Sequence, residues 1–372
     1  MRTSNRHFIR RGSNPRAMRS GAATPGCQSL ESRRLFDLTI QLNVPTNNDL
    51  SLTDDNTGGS ASSIILGYNG SNQVTITYEG VLDGTVYSNV SRIFVYGNDG
   101  NDTITMGASL PSTIEGLING GAGDDTLNGG AAADDLTGDT GADSISGGAL
   151  SDTISGQDGN DTIDGGTAGD NLAGGNDNDT ITGGDGSDTL NGDSGTDSLS
   201  GDDQSDSITG GTGNDTLNGG SANDSLYGSG DNDSLTGNAG DDLLQGDSGT
   251  DTVSYSYASN RVRIDLDGTA NDYEYDAAGT TVVNTDTIAT NVENLTGGGG
   301  ADSIFGSSTV NVLRGNGGND TIDGGNGADS IFGDSGNDRF QAGDGSIDTV
   351  DGGSGTDSML SSDANDVLIS VP

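Results

Sequence analysis

The 372-residue chain contains no lysine and no tryptophan, and only one histidine and one cysteine. Each absence removes a class of chemistry. Without lysine there is no P-loop lysine and no Schiff-base nucleophile. The single histidine, His7, lies among the basic residues of the first 34, so the rest of the chain holds no histidine triad, histidine general base or HExxH zinc site. Cys27 alone makes neither an intramolecular disulfide nor a cysteine zinc site. Hydrophobic residues amount to 29% and aromatics to 4%, too few for a core of the ordinary globular kind. No apolar stretch approaches the roughly 18 residues of a membrane-spanning helix.

What is abundant is glycine, at 66 positions, and acid, with a net charge of −44. Aspartate outnumbers glutamate 52 to 5 and every one of the 13 basic residues is arginine. A solubilising coat would tolerate glutamate, so preference for the shorter carboxylate points to tight turns or cation coordination. Eight arginines (Arg2, Arg6, Arg10, Arg11, Arg16, Arg19, Arg33 and Arg34) fall in a basic leader, 1–34, expected to be disordered. The remainder sets 5 arginines against 56 acids, which makes nucleic acid and anionic membrane poor partners.

Internal repetition organises the acid. From Gly120 to Ser254 the chain divides into 15 contiguous units of nine residues. Position one is glycine and position six aspartate in all 15, and position eight is always aliphatic, as in Gly210-Gly211-Thr212-Gly213-Asn214-Asp215-Thr216-Leu217-Asn218. A second block covers 297–360, with one ten-residue unit, and an isolated unit covers 97–105. Positions one to six carry residues that accept positive φ and local hydrogen bonds, so they are expected to form turns. Positions seven to nine are expected to form a very short strand with one side chain inward. Two units then make an 18-residue coil, and stacked coils make two parallel sheets around a thin aliphatic core.

The pattern G-G-x-G-x-D-x-U-x resembles the RTX, or haemolysin-type, calcium-binding nonapeptide repeat. That resemblance implies an all-β fold, a right-handed parallel β-roll or β-helix solenoid, with several Ca²⁺ ions between its turns. The implied metal residues are the position-six aspartates. One column holds Asp125, Asp143, Asp161, Asp179, Asp197, Asp215, Asp233 and Asp251; the other holds Asp134, Asp152, Asp170, Asp188, Asp206, Asp224 and Asp242. Asp102 comes from the isolated unit, and Asp302, Asp320, Asp329, Asp338, Asp348 and Asp357 from the second block, where Asn311 marks a turn expected to lack a metal. Ordering 135 residues around one line of aliphatic side chains, with carboxylates stacked in columns, needs a further stabilising agent, so the repeats are expected to fold only with metal. The plainer alternative, that Asp at position six merely caps turns, leaves the charge unrelieved.

The first column has glycine at position four in six of eight units, the second in only two of seven, the rest being Ala132, Leu150, Ala168, Gln204 and Ala222. If position four requires positive φ, the second column is strained and the first is the stronger calcium column. Residues 35–119 alternate in the β manner and are expected to form a strand-rich cap. Residues 255–296 read as a strand-and-loop insert, and 361–372 as a capping strand or secretion signal. Leu30-Glu31-Ser32-Arg33-Arg34-Leu35 resembles a leader motif of bacterial extracellular proteins, and Asp366-Val367-Leu368-Ile369 the terminus of type I secretion substrates.

Gly-Asp-Ser-Gly at 192–195, 246–249 and 333–336 resembles a protease nucleophile motif but is repeat positions one to four, without any histidine base. The expectation is therefore a non-enzymatic, secreted, calcium-dependent module at the cell surface or outside the cell, with calcium and a surface glycan or protein as partners. A calcium-stabilised polysaccharide-active or glycan-binding protein is the alternative.

Overall fold

The structure is a computed structural model that describes residues 32–35, 38–43, 49–54, 62–69, 73–78, 81–82, 87–275, 277, 279 and 281–371. Most of the basic leader, with His7 and Cys27, lies outside the described residues, as does Asp276 of the insert. The chain forms two compact units, Met1–Asp158 and Gly159–Pro372. Every regular element among the described residues is a strand, and no helix is long and apolar enough to cross a membrane.

In the first unit two antiparallel meanders lead into parallel coils. Ser32–Leu35, Leu38–Asn43 and Asp49–Asp54 pair antiparallel, and the last runs parallel to Arg92–Asp99. Ser63–Asn69 and Gln73–Tyr78 also pair antiparallel, and here the first runs parallel to Thr103–Met106. Each meander covers one sheet edge that would otherwise present unpaired N–H and C=O groups. From there the strands step by 18 residues, as in Leu127↔Ile145 and Leu136↔Ile154.

The second unit continues the same step within itself, for example Ile181↔Leu199 and Ile208↔Leu226. All 15 position-eight side chains are buried, none more than 2% exposed. The strands of 120–254 correct the expectation of three-residue strands. From Asp135–Thr140 to Leu243–Ser248 they run six residues, from position seven through position three of the next unit, as in Ser207–Thr212 and Thr216–Ser221. Only positions four to six remain as turn. Two residues of each strand therefore face inward, the aliphatic one and the position-one glycine. In the second block the strands do shrink to three residues, as in Ser303–Phe305 and Thr321–Asp323.

The insert treats the two sheets differently. One sheet passes directly from Thr252–Ser254 to Asn294–Thr296 to Val312–Arg314. The other passes from Leu243–Ser248 through Val282–Ile288, the antiparallel Ala270–Tyr275 and Val262–Asp265 before reaching Ser303–Phe305. At the far end Val367–Ile369 pairs parallel with Thr349–Asp351, so the last segment is a strand.

Candidate calcium sites

The position-six aspartates are buried by the coil geometry. Each turn delivers its carboxylate beneath the neighbouring coil, where Oδ1 accepts the backbone N–H of the aspartate one coil earlier: Asp215 N to Asp233 Oδ1, 2.9 Å, and Asp224 N to Asp242 Oδ1, 2.8 Å. The same bond links Asp125 to Asp143, Asp134 to Asp152, Asp179 to Asp197 and Asp320 to Asp338. Aspartate at position six is thus a rung of a ladder between coils.

The second oxygen is the telling one. Oδ2 is buried and accepts no hydrogen bond at Asp125, Asp134, Asp179, Asp188, Asp197, Asp206, Asp215, Asp224, Asp233, Asp242, Asp251, Asp320, Asp329, Asp338 and Asp357. A buried anionic oxygen without a partner is costly. Burial accordingly raises carboxyls among them: Asp179 and Asp233 stand at about 7, with neighbouring rung carboxylates pushing the same way, and Asp320 at about 8. Asp302 differs, because Gly298 N donates to its Oδ2 and Val262 N to its Oδ1, both at 2.8 Å.

The invariant glycine at position one has its reason here. Its φ is not positive. A Cβ on Gly210 would instead stand 2.5 Å from Asp215 Oδ2 and 2.9 Å from the Gly228 carbonyl. Position two adopts positive φ in all 15 units of the first block, and position four does so in all but Ala132. The demand at position two escaped the sequence reading because Asp139, Gln157, Asp193, Asp202, Ser229, Asn238 and Asp247 also sit there. Five of those seven belong to the column whose position four is mostly glycine, so left-handed backbone is shared by both columns. What separates them is residue type: aspartate tolerates this conformation better than Leu150, Ala168 or Ala222.

The same turns gather carbonyl oxygens. A Cβ on Gly249 would meet the Asp231 carbonyl one coil back and, at 3.1 Å, Asp251 Oδ1; Gly195 meets the Asp177 carbonyl and, at 3.0 Å, Asp197 Oδ1. Among the described residues no three acidic side chains form a cage of their own. An all-oxygen set of rung carboxylates completed by turn carbonyls suits a hard cation such as Ca²⁺, which takes six to eight oxygens. The residues present therefore fit calcium, with the position-six carboxylates and position-four carbonyls such as those of Asp177 and Asp231 as its holders. Bound there, the ion would supply positive charge to the carboxylates of 120–254, a segment without a basic residue.

Asn311 completes its turn without charge. Its Oδ1 accepts Ser307 N at 2.8 Å and its amide donates to the Glu293 carbonyl at 2.6 Å. Three rungs escaped the sequence reading. Asp286 accepts Asp242 N, Glu293 accepts Asp251 N and Asp366 accepts Asp348 N. Their only signal is acid, any residue, aliphatic (Asp286-Thr287-Ile288, Glu293-Asn294-Leu295, Asp366-Val367-Leu368), without the glycine-rich turn before it. Position five is a second ladder: Asn178 Oδ1 accepts Thr196 N at 2.7 Å and Asn232 Oδ1 accepts Thr250 N at 2.8 Å.

The family model of the RTX calcium-binding nonapeptide repeat matches residues 94–108 and, in overlapping copies, 117–253 and 291–368. That is more than half of the chain, and the chain belongs to this calcium-binding repeat family. No curated protein matches it.

Proposed function

We propose that this chain is an exported, non-enzymatic module whose repeats stay unfolded at cytosolic calcium and fold on Ca²⁺ outside the cell. There it serves as a structural or surface-interaction element. The observation that carries this reading is the series of buried, unpartnered Oδ2 atoms in a segment, 120–254, without one basic residue. Folding such a segment depends on an external cation, and extracellular calcium modules bind at roughly 10⁻⁴–10⁻³ M. Far-UV circular dichroism of the full chain during a calcium titration, with magnesium as control, tests it. A cooperative gain of β signal with calcium alone is expected; β signal that is unchanged by chelator would overturn it.

A further inference from the structure

The glycine rule at position one has an exception where the first block ends. The residue after Ser254, in the position-one slot of the next unit, is Tyr255, which is 2% exposed. Its backbone keeps the position-one role. Tyr255 N donates to the Thr296 carbonyl at 2.8 Å, as Gly297 N donates to the Arg314 carbonyl.

The rung at this level is Asp286. Its Oδ1 accepts Asp242 N at 3.0 Å, but across 44 residues instead of 18, because the chain makes its excursion through the insert in between. The rest of the coil is in register: Leu244 lies opposite Ile288, and Thr285 N donates to Asp241 Oδ1 at 2.8 Å. At the repeat rungs from Asp179 to Asp251 position one is bare and Oδ2 accepts no hydrogen bond. Here position one carries a phenol whose O–H donates to Asp286 Oδ2 at 2.5 Å. The family match has no segment over 254–290, so the rung is invisible to the repeat pattern.

We propose that the Tyr255 hydroxyl takes over, at the Asp286 rung, the role that calcium has at the repeat rungs. The insert is then a joint in the second unit that takes no ion and stands without one. This rests on the calcium reading of the repeats. The tyrosine sits where the first block never carries a side chain, and its single polar atom meets the one carboxylate oxygen that the ladder leaves unsatisfied.

Hydrogen exchange of the full chain, followed by mass spectrometry with calcium and in chelator, tests the proposal. Chelation should speed exchange in 198–251 by roughly a hundredfold or more and in 282–296 by less than about tenfold. In Tyr255→Phe, which removes only the hydroxyl, exchange in 282–296 should become as calcium-dependent as in the repeats. Asp286→Asn, whose Oδ1 still accepts Asp242 N and whose Nδ2 can donate to the Tyr255 hydroxyl oxygen, should leave 282–296 protected in chelator, whereas Asp215→Asn should weaken calcium binding. Loss of protection in both segments of the native chain would keep the calcium reading and overturn the role of Tyr255. So would a Tyr255→Phe chain still protected in chelator. Protection of both segments in chelator would overturn the calcium reading, and this proposal with it.

Discussion

Within the second unit the coils of 159–254 and those of 297–362 share one ladder but satisfy it differently. The first segment has 20 aspartates and no basic residue; the second has ten with Arg314 and Arg339. In the first, position nine carries small or polar side chains apart from Tyr227. In the second it carries Phe305, Arg314 and Phe332, and Arg314 lies 4.6 Å over the Phe332 ring while gripping both oxygens of Asp334 at 2.8 and 2.7 Å. Two of its rungs, Asp302 and Asn311, have their side-chain acceptors met by N–H groups. One fold is therefore held by two chemistries, and the more purely the repeat is kept, the more the coil depends on a cation from outside.

The largest effect should come from protons, because it sums over many rungs. In chelator, burial holds Asp206 and Asp224 at about 7 and Asp197 and Asp242 at about 6, against an ordinary 3.8. A carboxyl raised in the folded state binds protons that the unfolded chain has released, so it costs stability above its folded pKa. The chelated repeats should thus stay unfolded above pH 7 and gain β structure as pH falls from 7 toward 4. Far-UV circular dichroism in chelator between pH 8 and 5 measures this, and with calcium present the trend should reverse as protons compete for the same oxygens. A flat profile in chelator would remove the electrostatic half of the comparison.

Next in size is steric. Gly210→Ala puts a Cβ against Asp215 Oδ2 and should lower stability in calcium by roughly 1–3 kcal/mol. Gly317→Ala in the second block meets nothing closer than Ser335 Oγ at 3.5 Å and should change stability by less than about 0.5 kcal/mol. Equal costs from denaturation curves would show that position one does not owe its glycine to the carboxylate. Asn311→Asp converts a self-satisfied rung into one like its neighbours. Its urea midpoint should fall more steeply than the native one as calcium is lowered. The smallest effect belongs to Arg314→Gln, which loses a half-exposed ion pair and a ring contact, about 1 kcal/mol or less. A loss several times larger would make that arginine a pillar of the second block.

How much of this was legible beforehand follows from which groups carry the periodicity. Asp at position six and the aliphatic residue at position eight have side-chain roles, and the structure buries both columns. Glycine at position one was legible as invariant but not as to cause, since a close approach and a positive φ leave the same residue. Position two was hidden because its demand is on φ, which aspartate, asparagine, serine and glutamine all meet here. The rungs of the insert were hidden more deeply. Asp286 lacks the glycine-rich turn, and at Val262 and Ser62 the ladder is continued by residues without a carboxylate, through their N–H to Asp302 and Asp102.

The rung bond is made across 18 residues in the regular coils, across 19 at Asp329 to Asp348, where the ten-residue unit intervenes, and across 44 at Asp242 to Asp286. The architecture thus counts rungs, not residues. Length can be added between any two rungs without disturbing those above and below, provided the new segment returns an acceptor to the waiting N–H. A coil of this kind is an open frame for grafting, and the turns that now appear as irregularities mark where foreign sequence could be carried.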